Sequence, residues 1–211
     1  YKELASEQAK KFFKEMSPPT LFVEPLIFCH FAQGIGDKIY DRGATVADLG
    51  GLLNGALDEY NETNAAMNLV LFEDAMRHVC RISRIIESPG GHALLVGVGG
   101  MGKQSLSKLA TYTAGYTVFQ IVISATYGVN DLRNALQIMY KKAGIKCEGT
   151  SFLFTDSQLT DERFLVFLQG DAASAARAGK LVVNLKLMNK QIEGEPPSEG
   201  KRQSIGGPPY Y

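Results

Sequence analysis

Residues Gly97–Ser105 read "GVGGMGKQS". A nucleotide-phosphate loop has the form Gly, four residues, Gly-Lys, then Ser or Thr. Gly97, Gly102 and Lys103 fit that form, but Gln104 stands where the hydroxyl belongs and Ser105 comes one residue late. From the loop alone three readings are open: a phosphate site, a damaged one, or a glycine turn with no ligand. The flanks favour the first. "HALLVG" (92–97) is a short, continuously apolar run, as a strand buried on both faces would be. "KQSLSKLATYTA" places Leu106, Leu109 and Ala110 on one helical face. A strand therefore delivers the loop and a helix leaves it. Gly97, Val98, Gly99, Gly100, Met101 and Gly102 would let backbone N–H groups converge on phosphate oxygens, with Met101 pointing outward. The helix N-terminus adds partial positive charge, and Lys103 supplies a point charge for the outer phosphates. Gln104 could offer its amide oxygen to Mg²⁺, or Ser105 could approach if the helix start shifts; either is a poorer ligand than the usual hydroxyl.

The pattern downstream is that of alternating strands and helices. "YTVFQIVIS" (116–124) and "TSFLFTD" (150–156) read as strands. "NDLRNALQIMYKKAG" reads as a helix with Leu132, Leu136, Met139 and Tyr140 on one face and Gly144 suited to its C-cap. "TDERFLVFLQ" opens another helix, capped by Thr160 or Asp161. This alternation predicts parallel pairing and a three-layer α/β core. Asp156 lies at the end of the third strand, where such enzymes carry acids for the metal and the attacking water. Only one acid is present, where an Asp-Glu pair is usual. Register leaves open whether the metal-side or the water-activating acid is missing. The plainer reading of Asp156 is a turn former.

Upstream, "LASEQAKKFFKEM" is a helix stopped by "SPP" (17–19). "LFVEPLIFCHF" is an edge strand or a short helix after Pro25. "DRGATVADLGGLLNG" reads as a loop with a short helix. "LNGALDEYNETNAAMN" reads as helical at first and turn-like near Asn61–Asn64, and "LVLFEDAMRHVCRISRIIES" as a helix ended by "PGG". Past Gln169 the pattern fails. "KLVVNLKLMNKQI" is one more strand or an amphipathic piece, and "EGEPPSEGKRQSIGGPPYY" is expected to lack fixed structure.

Composition excludes several classes. Lys plus Arg and Asp plus Glu are both 22, which argues against a free nucleic-acid binder. No apolar run approaches the ~18 residues of a membrane span, and no secretory pattern opens the chain. Cys29, Cys80 and Cys147 are far apart in sequence and odd in number, which suggests a reducing compartment without disulfides. The three histidines make neither a zinc spacing with these cysteines nor a nucleophile motif. Arg77, Arg81 and Arg84 read as a solvated helix face, with contact to a neighbour's phosphates as the sharper alternative. The chain starts at Tyr1, so it is expected to be a piece of something longer.

With these residues in hand a family resemblance is specific. "ALDEYNETNAAMNLVLFEDAMRHVCRISRIIESPGGHALLVGVGGMGKQSLSKLA", "YGVNDLRNALQIMYKKAG" and "GTSFLFTDSQLTDERFLVFL" resemble axonemal dynein heavy chains at their fourth AAA+ module. "LFVEPLIFCHFAQGIGDKIYD" resembles the joint between the third and fourth modules. The resemblance covers about 1–169 and implies a P-loop AAA+ core at 57–169, a connecting segment at 1–56, and a divergent, largely disordered tail at 170–211. It makes Gly-Lys-Gln-Ser a trait of the module rather than damage. Met101 departs from it, because a small residue, commonly Ser, is usual there. The expected small-domain sequence is absent after Gln169, as in a truncated or alternative product. The resemblance implies ATP or ADP with Mg²⁺, held by residues 97–105, with Gln104 and Asp156 on the metal. It implies a regulatory site with weak or no hydrolysis in a ciliary motor of the axoneme. Its implied partners are neighbouring AAA+ modules and, through the full-length motor, intermediate chains, light chains and microtubules, with neither nucleic acid nor membrane. The alternative is a degenerate module that only spaces the ring. A stand-alone P-loop kinase or ATPase is disfavoured by the missing acid.

Overall fold

Every strand of the main sheet runs in the same direction, as the strand–helix alternation requires. The computed structural model describes residues 1–13, 22–24, 26–36, 38–43, 45–89, 91–168 and the backbone of 180–186. In chain order these form α1 (Lys2–Phe12), β1 (Phe28–Cys29), β2 (Asp41–Arg42), α2 (Val46–Thr63), α3 (Glu73–Glu87), β3 (Ala93–Gly97), α4 (Lys103–Thr113), β4 (Thr117–Phe119), α5 (Val129–Ile145), β5 (Thr150–Thr155) and β6 (Lys180–Lys186). A 3₁₀ turn, Asp156–Gln158, follows β5, and residues 163–168 are helical.

The sheet order is β3-β6-β5-β4. Leu153 and Leu95 flank β6 at Val182 and Asn184. A strand is thus the outcome for the first part of "KLVVNLKLMNKQI". The remainder of the expected disordered tail, at 170–179 and 187–211, lies outside the described residues.

β5 organises the layers because it is buried along its whole length and its side chains alternate between two cores. Leu153 joins Leu53, Val79, Ile86 and Leu109 from α2, α3 and α4 on one face. Phe152 and Phe154 join Leu132, Leu136 and Met139 of α5, with Phe164, on the other. The result is three layers, helix, parallel sheet and helix. Each fully buried Phe or Leu contributes about 1.5–3 kcal/mol relative to exposure.

Several expectations are corrected. α2 is one continuous helix of 18 residues, not a glycine-rich loop with a short helix. Thr45 caps it, its Oγ1 accepting from the Asp48 N–H at 3.0 Å. Leu49, Leu53, Ala56, Leu57 and Tyr60 bury along one face, and that burial outweighs the ~1 kcal/mol cost of each helical glycine. β3 is not buried on both faces: Leu94 is 62% exposed and Val96 53%, because β3 edges the described sheet and only its other face meets helices. β4 covers only Thr117–Phe119 of the longer run expected. α5 continues through Gly144, and Cys147 takes the left-handed conformation instead, with φ 55°.

"LFVEPLIFCHF" yields an edge strand: β1 pairs antiparallel with β2, Cys29 opposite Asp41. Ile27, Cys29 and Phe31 share the core of α2, α3 and α4, and α2 crosses residue 56 without a break. The fold also brings together two cysteines that are distant in sequence. Cys29 and Cys80 are buried as free thiols within hydrogen-bonding reach of one another. No helix among the described residues is long and apolar enough to cross a membrane.

Candidate nucleotide-binding site

The loop leaves the carboxyl end of β3 and turns into α4 through two glycines with positive φ, Gly100 at 83° and Gly102 at 70°. Gly102 is the N-cap of α4 in the left-handed conformation, which a Cβ would strain. With no side-chain cap there, the first N–H groups of α4 have no capping partner. Lys103 folds back over the loop, its Nζ donating to the carbonyls of Gly97 at 2.8 Å and Val98 at 2.6 Å. The ammonium therefore sits inside the curve of the loop. Met101 points outward, 67% exposed, and Val98 is also exposed.

Gly99 through Ser105 line one cavity of about 450 Å³ together with Thr155 and Asp156. Gly97 lies instead on a neighbouring groove, and Val98 borders neither. Asp156 is held at the cavity by its neighbours. Gln158, buried, accepts from the Thr155 N–H through Oε1 at 2.9 Å and donates from Nε2 to the Ile121 carbonyl. Thr155 Oγ1 and Ser157 Oγ share a hydrogen bond of 3.0 Å. No hydrogen bond or ion pair engages the Asp156 carboxylate among the described residues. Besides the Thr155 hydroxyl, which is engaged by Ser157, the cavity thus offers side-chain oxygens from Gln104, Ser105 and Asp156, and oxygen ligands suit a hard cation such as Mg²⁺.

Beside the loop runs a second cavity, a groove of about 470 Å³ whose walls include Leu69, Phe72, Leu94 and Val96. It shares Gly97, Met101 and Lys103 with the loop. Its near wall is the irregular segment 67–72, anchored by Asn61: the side-chain amide accepts from the Met67 N–H at 2.7 Å and donates to the Met67 carbonyl at 3.2 Å. Leu69 Cδ1 lies 3.6 Å from where a Cβ on Gly102 would stand, so this segment touches the loop.

Residues 67–169, which contain both cavities, match the family described as P-loop containing dynein motor region D4. The chain is 55% identical over 172 residues, 80% of its length, to the dynein alpha chain of the flagellar outer arm of Chlamydomonas reinhardtii. It is 55% identical over 174 residues, 82% of its length, to the ciliary dynein beta chain of Heliocidaris crassispina. It is 55% identical over 170 residues, 81% of its length, to human dynein axonemal heavy chain 17. The chain belongs to the axonemal dynein heavy-chain family. It spans 4% of the length of each of these relatives.

Within this D4 region the loop and the strand-end aspartate could be read from the sequence, and the fold brings them to one cavity. The groove residues could not be found that way. "LVLFED" reads as the start of a helix, yet α3 begins only at Glu73, and 69–72 precede it without regular structure, Phe72 being extended. The signal available was the acidic pair Glu73-Asp74, which favours a helix first turn and so marks the true start. Arg77, Arg81 and Arg84 border a separate cavity of about 250 Å³ beside β1, and Arg77 is paired with Glu73 at 2.6 Å.

Proposed function

We propose that this D4 region binds ATP or ADP with Mg²⁺ as a regulatory AAA+ module of an axonemal dynein heavy chain, contributing to microtubule-based ciliary motility. The observation that carries the reading is the single cavity in which the glycine loop, Lys103, Gln104, Ser105 and Asp156 converge. The phosphates lie across the loop N–H groups and the N-terminus of α4, with Lys103 exchanging its loop carbonyls for phosphate oxygens. Gln104 and Asp156 would hold the Mg²⁺, with Ser105 within the same cavity. When bound, the ion would supply positive charge that neutralises the phosphates. The base enters the apolar groove that shares Gly97, Met101 and Lys103 with the loop. Hydrolysis is weak, because Asp156 is the only carboxylate among the described residues that line the loop cavity. The partners are the adjacent AAA+ modules of the same heavy chain and, through the complete motor, intermediate and light chains and microtubules of the axoneme.

The test is a titration of a fluorescent ATP analogue against the wild-type chain and Lys103→Ala, with and without Mg²⁺. Lys103→Ala is expected to weaken binding at least tenfold, since a hydrogen-bonded charge pair contributes about 1.5–3 kcal/mol. Equal affinities would overturn the reading and leave the module with a purely structural place in the ring.

A further inference from the structure

Among the described residues that line it, the groove beside the loop is apolar except at three side chains. One is Lys103, already held at the phosphate end by the loop carbonyls. The other two, Asp74 and His78, stand four residues apart on α3, and that spacing puts them side by side on one helix face. Both are exposed, and among the described residues neither side chain makes a hydrogen bond or ion pair; Arg77, paired with Glu73, attracts the Asp74 carboxylate only from a distance. Apolar walls suit the faces of an aromatic ring but carry no discrimination between ring edges. Among the lining side chains, discrimination between ring edges falls to the polar pair.

We propose that Asp74 and His78 read the edge of a purine base in this groove, with the Asp74 carboxylate accepting a hydrogen bond from an exocyclic amino group and the His78 imidazole bonding a ring nitrogen. This rests on the nucleotide reading of the loop and extends it to base selection. The chemistry is one of complementarity. An ionised carboxylate is an acceptor only, so its partner must be a donor, and the exocyclic amino group is a donor on a purine edge. An imidazole can meet a ring-nitrogen acceptor with its N–H. A purine lacking the amino group would leave Asp74 without a partner. A site built around such a bond rejects the ligand that lacks it. Asp74 also sits in the first turn of α3, where a carboxylate favours the helix dipole. That structural contribution would alter stability but not the preference between two bases.

The experiment uses the whole 211-residue chain. ATP and purine riboside triphosphate, which lacks the amino group, compete against a ribose-labelled fluorescent ATP on wild type, Asp74→Ala, His78→Ala and Lys103→Ala. Wild type is expected to prefer ATP by about tenfold or more, the scale of a charge-assisted hydrogen bond. Asp74→Ala should abolish that preference while holding the affinity for the analogue within about twofold, the coupling a double-difference isolates. His78→Ala should weaken both ligands, because both carry the ring nitrogens. Lys103→Ala should weaken both equally and keep the preference. If Asp74→Ala weakens ATP and the analogue alike, or leaves the preference intact, the base-reading proposal is overturned while the loop reading stands. If Lys103→Ala changes nothing, or no nucleotide competes, the nucleotide reading fails and this proposal falls with it.

Discussion

Gln158 holds Thr155 in place: the buried side-chain amide takes the Thr155 N–H at 2.9 Å and reaches across to the Ile121 carbonyl. One side chain thereby joins the end of β5 to the segment that follows β4. Asp156, between the two residues, is presented to the loop cavity by that clasp. The position of the candidate metal-binding carboxylate therefore depends on a residue outside the cavity.

Gln158→Leu should destabilise the chain. It keeps the apolar bulk but leaves the Thr155 N–H and the Ile121 carbonyl without their partner, at about 1–3 kcal/mol for each buried group. Urea denaturation followed by circular dichroism measures this. A loss smaller than about 0.5 kcal/mol, the scale of an ordinary surface substitution, would show that the clasp is dispensable.

Two glycine substitutions should move stability in opposite directions. Gly102→Ala places a Cβ on a residue at φ 70°, costing roughly 1–2 kcal/mol, and brings it to 3.6 Å from Leu69 Cδ1. Gly51→Ala lies in the interior of α2 with open space around the new Cβ, and should stabilise by about 0.5–1 kcal/mol. Thermal melts of the two variants decide the matter. A stabilising Gly102→Ala would contradict the left-handed cap.

Turnover of ATP by the wild-type chain should be far below about 1 s⁻¹, the lower end of ordinary enzyme rates. Asp156 stands alone at the strand end, and the neighbouring Thr155 and Ser157 hydroxyls bond each other. Ser157 is exposed, so Ser157→Glu can add a carboxylate without burying it. Thr155 is 2% exposed, so Thr155→Asp would bury a charge and should destabilise instead. Phosphate release measures both. Rapid release by wild type would reveal a competent base, and no gain in Ser157→Glu would move the defect away from the missing acid.

Thiol labelling at neutral pH should modify Cys147 quickly and leave Cys80 intact. Cys147 is exposed. The hydrogen bond with Cys29, followed by burial, pushes the Cys80 thiol well above its ordinary value. A raised value keeps the reactive thiolate scarce at neutral pH, and labelling should accelerate only as alkali or denaturant exposes the site. Mass spectrometry of the native and unfolded chain counts the modified sites. Rapid native modification of Cys80 would show that this part of the core opens readily.

The sequence by itself determined the local grammar: Gly97 to Ser105 as a strand–loop–helix turn, the apolar runs as strands, and Asp156 as a strand-end acid. These signals lie within a few residues of each other, so backbone preference and periodicity expose them. Only the tertiary structure decided the rest. Three glycines in α2 read as a loop until the shared burial of Leu49, Leu53 and Leu57 outweighs their flexibility. Leu94 and Val96 read as doubly buried until β3 stands at the edge of the described sheet. Cys29 meets Cys80, and Asp74 and His78 meet the loop's groove, only because packing closes long stretches of chain. Sequence periodicity shows which face of an element is apolar, but what that face meets is set by contacts between residues far apart in the chain.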